Sequence, residues 1–133
     1  MRIALLRHGP TLWNAQGRIQ GHTDIPLSDE GFAKMRGLLP PPPFGEARVF
    51  VSTSRRARQT AEAIAGRCLL TPTFDDRLRE RHYGSFQALT YDEARQRFPQ
   101  DYAHFEKRTP DYVFPGGGES LRQFSARIHA VLH

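Results

Sequence analysis

The sequence holds one cysteine, Cys68, so no disulfide can close within its 133 residues. A reducing, cytoplasmic setting is the expectation that follows. No apolar run approaches the length that spans a bilayer, and no charged-then-apolar leader opens the sequence. Lysine is nearly missing: 17 of the 19 basic residues are arginine, and only Lys34 and Lys107 are lysine. There is no internal repeat, and Pro40 to Pro43 is the sole low-complexity patch. Gly116-Gly117-Gly118 has no Gly-Lys-Ser/Thr sequel, which excludes a P-loop. Phe74 stands where a Cys-x5-Arg loop needs its arginine, which excludes Cys68 as a thiol phosphatase nucleophile.

The length fits one domain over residues 1–133, with a single core. The formal net charge is +5. Arginine presents a planar fork that pairs bidentately with phosphate or carboxylate. A basic nucleic-acid binder would gather its arginines into a stripe with aromatic platforms. Here they are scattered along the chain, so no nucleic-acid partner is expected, and no membrane partner.

Residues 3–6 are an apolar run stopped by Arg7-His8-Gly9-Pro10, which predicts a first strand over residues 2–6. Residues 10–27 form a long connection, a kind of segment that is usually functional. Ser28 caps a helix with Asp29 and Glu30 in its first turn, and Pro40 to Pro43 are expected to end it. Val49-Phe50-Val51 reads as a second strand, followed by Ser52-Thr53-Ser54 and a helix over about residues 55–67. Residues 69–74 read as a weaker strand, placed at an edge by Pro72. Thr90-Tyr91-Asp92-Glu93 and Ser120-Leu121-Arg122-Gln123 are capping boxes. The first opens a helix closed by Pro99, and the second opens an amphipathic helix that runs on from Leu121. Strands alternating with helices predict an α/β fold, three-layer α/β/α with a mainly parallel sheet.

In such a fold ligands bind beyond the carboxyl ends of the strands. His8 falls at that point, beside a permanent cation and a glycine that lets a ligand approach the backbone. Arg55 and Arg56 repeat the arrangement at a helix N-terminus, which already favours anions. The run from Arg7 to Asn14 resembles the Arg-His-Gly signature of the histidine phosphatase superfamily, which includes the cofactor-dependent phosphoglycerate mutases. Gly21-His22-Thr23-Asp24-Ile25-Pro26-Leu27-Ser28, Ser52-Thr53-Ser54-Arg55-Arg56-Ala57-Arg58-Gln59-Thr60-Ala61, Leu78-Arg79-Glu80-Arg81-His82-Tyr83-Gly84 and Gly118-Glu119-Ser120-Leu121 resemble later segments of that family, in order.

The resemblance implies that His8 is the nucleophile and becomes phosphohistidine, and that Arg7 and Arg56 clamp the phosphoryl oxygens. It implies that Glu80 protonates the leaving oxygen and later activates water. Asn14, Gln20, Gly21 and Tyr83 fall where the family contacts substrate. No metal or other cofactor is expected, and the partner is a small phosphorylated metabolite. His22, His82 and His104 read as structural or exposed, and the i, i+4 pair His129 and His133 has no third metal ligand.

Three features depart from the family pattern. Ser54-Arg55 replaces an apolar residue, and Ala88 stands where glycine is usual after Gln87. The family also carries a second catalytic histidine in a His-Gly pair after a further strand, and His133 does not fill that role. The expectation is a chain lacking its C-terminal portion. The expected activity is hydrolysis of a small phosphomonoester. Phosphoglycerate mutase is the runner-up, and a phosphate- or phosphopeptide-binding protein weakened in catalysis is the alternative of another class.

Overall fold

A computed structural model describes residues 2–39, 47–65 and 71–133. The Pro40–Pro43 run and Cys68 lie outside the described residues. Two compact units are present: Met1–Leu12 with Asp24–Asp76, and Trp13–Thr23 with Arg77–His133. A short helix α1 covers Leu12–Ala15.

The first unit holds α2 (Asp29–Arg36), β1 (Val49–Ser52), α3 (Arg55–Ala65) and β2 (Pro72–Asp75). The Ser28 side chain accepts the Gly31 amide, as its N-cap position predicts, while Asp29 and Glu30 sit at the positive end of the helix dipole. The helix stops at Gly37, before the proline run that was expected to end it. β1 and β2 pair in parallel, with Val49 opposite Pro72 and Ser52 opposite Asp75. Pro72 is the first residue of its strand, where its missing N–H costs little.

The expected strand over residues 2–6 does not form. Residues 2–10 carry no regular structure, and Leu5 is 94% exposed. A strand exists through a neighbour's N–H and C=O groups, and the described sheet consists of β1 and β2 only. The apolar composition of the run is real, but composition does not supply a pairing partner.

The second unit packs around aromatic rings. Ile19, Phe86, Ala94, Tyr102 and Phe114 are buried together, with Tyr83, Leu89, Phe98, Phe105 and Tyr112 against them. Phe86 stacks on Phe98 at 5.6 Å and meets Phe114 edge-on at 4.9 Å. Such pairs add to the burial of ring area. Both capping boxes form: Thr90 with Glu93 opens α4 (Tyr91–Arg97), and Ser120 with Gln123 opens α6 (Leu121–Leu132). Pro99 closes α4 as expected, but it also stands in the first turn of α5 (Pro99–Lys107), a helix that the sequence pattern does not reveal. Proline lacks only an N–H that would be unsatisfied there, and its fixed φ suits the first turn. α5 ends at Arg108, which takes a left-handed conformation with φ 52°.

Candidate active site

In the first unit, His8 lies on the irregular stretch that leads into Gly9 and Pro10. Its Nδ1 is 2.7 Å from the Gly9 carbonyl oxygen. A carbonyl only accepts, so Nδ1 carries the proton, and Nε2 holds the lone pair of the neutral ring. Gly9 is buried, and a Cβ there would meet Met35 Cγ at 2.8 Å and Leu27 Cδ2 at 3.2 Å. Only glycine lets this backbone press against α2. Gly31 repeats the close approach from the other side, since its Cβ would meet the Pro10 carbonyl oxygen at 2.2 Å.

A second tie runs to α3. The Gly9 amide donates to Thr60 Oγ1 at 3.0 Å, and that hydroxyl donates to the Arg56 carbonyl at 2.7 Å. The residue after His8 is thereby fixed to the turn of α3 that carries Arg56. Arg56 is 2% exposed, whereas Arg7 is exposed. Asp24 Oδ1 accepts the Arg55 amide at the start of α3, and Gln59 Oε1 accepts the Leu27 amide. The polar connection after Gly21 is thus pinned to the helix that holds the second arginine.

In the second unit, Gly21 is buried with φ 55°, and the Gln20 carbonyl accepts the Thr23 amide in the same turn. Gln87 Oε1 accepts the His22 amide at 2.7 Å and the Tyr83 amide at 3.3 Å, so one side chain spans two expected substrate segments. Asn14 is exposed on α1. The Tyr83 ring packs edge-on against Phe105 and Phe114. Burial, and then the neighbouring Glu80 carboxylate, push its hydroxyl up to about 12.

Glu80 is exposed, and one of its carboxylate oxygens accepts the Arg81 amide at 2.7 Å. Its carbonyl accepts His22 Nε2–H at 2.8 Å. The His22 ring lies 4.6 Å from that of His82. Burial foremost, then His82, hold His22 below the usual histidine range, against the opposite pull of the Glu80 carbonyl. Arg81 is buried, with its guanidinium 4.7 Å over the Phe114 ring. Burial lowers its pKa from the ordinary arginine value.

The sequence profile of the histidine phosphatase superfamily, branch 1, matches residues 3–133. The chain belongs to the histidine phosphatase superfamily. It is 38% identical over 133 residues to phosphoglycerate mutase-like protein 4 of Arabidopsis thaliana, covering 98% of this chain and 58% of that protein. It is also 38% identical over 128 residues to a metal-independent phosphoserine phosphatase of the same plant, covering 94% and 54%. The crystal structure of TTHB049 from Thermus thermophilus superposes with a TM-score of 0.76 at 35% identity, covering 96% of this chain and 68% of that one. This histidine phosphatase chain therefore spans little more than half the length of the two plant relatives. Its fold is α/β and phosphoglycerate mutase-like. Among the described residues no helix is long and apolar enough to cross a membrane.

Three residues that hold candidate segments in place within their own units, Thr60 in the first and Gln87 and Arg127 in the second, have no role in the sequence analysis. Thr60 lies within the second arginine motif, but that motif assigns it no role, and its hydroxyl acts through the Gly9 and Arg56 backbone. Gln87 acts through its single Oε1, and nothing in its local sequence marks it. Arg127 sits within an ordinary amphipathic pattern on α6, where a charged residue reads as solvated surface. Only its position in the fold distinguishes it.

Proposed function

We propose that this histidine phosphatase hydrolyses a small phosphomonoester through a phosphohistidine at His8, in the cytoplasm and with no cofactor, nucleic acid or membrane required. The observation that carries the reading is the Nδ1 bond to the Gly9 carbonyl, which puts the basic lone pair of the ring on Nε2. In the first step Nε2 attacks phosphorus, the phosphorus–oxygen ester bond breaks, and Glu80 gives its proton to the departing oxygen. In the second step Glu80 takes a proton from water, the water oxygen bonds to phosphorus, and the phosphorus–nitrogen bond breaks. Arg7 and Arg56 hold the phosphoryl oxygens, where positioned cations are the main catalytic device for this chemistry. Asn14, Gln20, Gly21 and Tyr83 are assigned to the substrate. One domain over residues 1–133 carries these groups.

The phosphatase reading is supported by the relative named as a metal-independent phosphoserine phosphatase. The relative named phosphoglycerate mutase-like keeps phosphoryl transfer between two hydroxyls as the second reading. Incubation with a phosphomonoester followed by acid and base treatment tests the mechanism. An acid-labile, base-stable phosphoenzyme that is lost in His8→Ala is expected, and normal turnover by His8→Ala would overturn it. Release of inorganic phosphate, rather than transfer to a second hydroxyl, separates the two readings.

A further inference from the structure

Arg127 uses all five of its guanidinium N–H groups, three on one main-chain segment and two on Glu119. Nη1 donates to the carbonyls of Arg77 at 2.7 Å and Arg79 at 2.6 Å. Nη2 donates to the Glu80 carbonyl and to Glu119 Oε2, both at 2.8 Å. Nε donates to Glu119 Oε1 at 2.6 Å. Three main-chain carbonyls of one irregular segment thus converge on a single planar fork. A lysine ammonium has three donors in a tetrahedral spread and cannot meet this set.

Glu119 completes the arrangement. Its Oε2 accepts the His82 amide at 3.2 Å, its own amide donates to the His82 carbonyl at 2.8 Å, and its carbonyl accepts Arg81 Nε at 2.9 Å. The two side chains are only 21% and 15% exposed, so solvent screens the pair far less than a surface ion pair. Between them, Arg127 and Glu119 bond the backbone of residues 77, 79, 80 and 82. That stretch has little regular structure of its own beyond a 3₁₀ turn at Asp76–Leu78.

We propose that Arg127 and Glu119 are positioning residues for Glu80: together they fix the backbone from which its carboxyl delivers a proton to the leaving group. The inference rests on the reading of Glu80 as the acid. Neither side chain touches the reacting atoms in this scheme. The loss of either is felt through the placement of Glu80, and a displacement of about an ångström in such a group lowers rate by about 100-fold.

The test uses the full-length protein and two substrates, 4-nitrophenyl phosphate and glycerol 2-phosphate. Only the alkoxide leaving group of the second needs a proton. Arg127→Lys and Glu119→Gln should lower the single-turnover rate of phosphoenzyme formation from glycerol 2-phosphate by about 10- to 100-fold, with formation from the aryl phosphate nearly unchanged. Arg127→Lys added to Glu80→Gln should cause no further loss on glycerol 2-phosphate. Amide hydrogen exchange should accelerate at residues 77–82 and stay unchanged in α4 and α5. Equal losses in phosphoenzyme formation from both substrates, or acceleration throughout the unit, would mean a purely structural role and overturn the inference while leaving the acid assignment intact. If Glu80→Gln itself slows phosphoenzyme formation from both substrates equally, the acid reading falls and the positioning role falls with it.

Discussion

The Gly9 amide and the Thr60 hydroxyl meet at 3.0 Å across 51 positions of sequence, in the interior of the first unit. Thr60→Val keeps the shape but leaves a buried N–H without its acceptor, at a cost of about 1–3 kcal/mol. Thr60→Ser keeps the hydroxyl and should cost less. Urea unfolding of the two variants gives the comparison, and phosphoenzyme yield should drop in the valine variant alone. Equal stability of Val and Ser at this position would show that the bond to Gly9 contributes nothing.

Ala88 adopts φ 72°, the left-handed region that favours glycine. The conformation is imposed on both sides: the Ala88 amide donates to the Ile19 carbonyl, and the Ala88 carbonyl accepts Arg18 Nη1. An L-residue there costs about 1–2 kcal/mol, partly offset in glycine by the greater freedom of its unfolded chain. Ala88→Gly should therefore stabilise the protein by up to about 1 kcal/mol, seen as a rise in Tm. A lowered Tm would contradict this assignment of strain.

Two glycines with positive φ should respond very differently to alanine. At Gly84, with φ 53°, a Cβ would meet the Pro115 carbonyl oxygen at 2.1 Å, and backbone cannot step aside cheaply. At Gly17, with φ 65°, nothing lies within 4 Å. Gly17→Ala should cost about 1 kcal/mol from conformation alone, and Gly84→Ala well above that. Denaturation midpoints that fall equally would show that the clash at Pro115 relaxes freely.

Acidification should weaken the second unit through His22. Burial and the nearby His82 favour the neutral ring in the folded protein. As pH falls past the ordinary histidine value of about 6.5, the unfolded chain takes up that proton first, so stability falls with pH. Glu119 acts in the same direction at lower pH. Burial there opposes ionisation, but the Arg127 fork and the His82 amide outweigh it and hold the carboxyl below the usual range. Its stabilisation is present above the ordinary carboxylate value and is lost as pH drops through the folded one. Tm measured between about pH 7.5 and 5.5, a window that brackets the ordinary histidine value, should fall more steeply for the wild type than for His22→Gln. Parallel slopes would remove His22 from the account.

The residues on which Ser28, Thr90 and Ser120 depend lie within three positions of each one. The chemistry of a cap is complete in that short window, which is why all three helix starts stood in the sequence. Pro99 reads in the sequence only as the end of a helix, yet a proline begins one equally well, and the core around Tyr102 decides that α5 exists. The ordered motifs around His8, Arg56 and Glu80 were enough to reveal the family, because the side-chain chemistry they carry survives without knowing where they go. What the sequence could not contain was the partner of each long-range bond. The run over residues 3–6 has a strand's composition without a strand's neighbour. Arg127 reads as a surface charge until the fold turns three carbonyls, some 50 residues away in the chain, toward one guanidinium. Main-chain carbonyls are identical at every position in sequence, so only tertiary structure decides which of them converge.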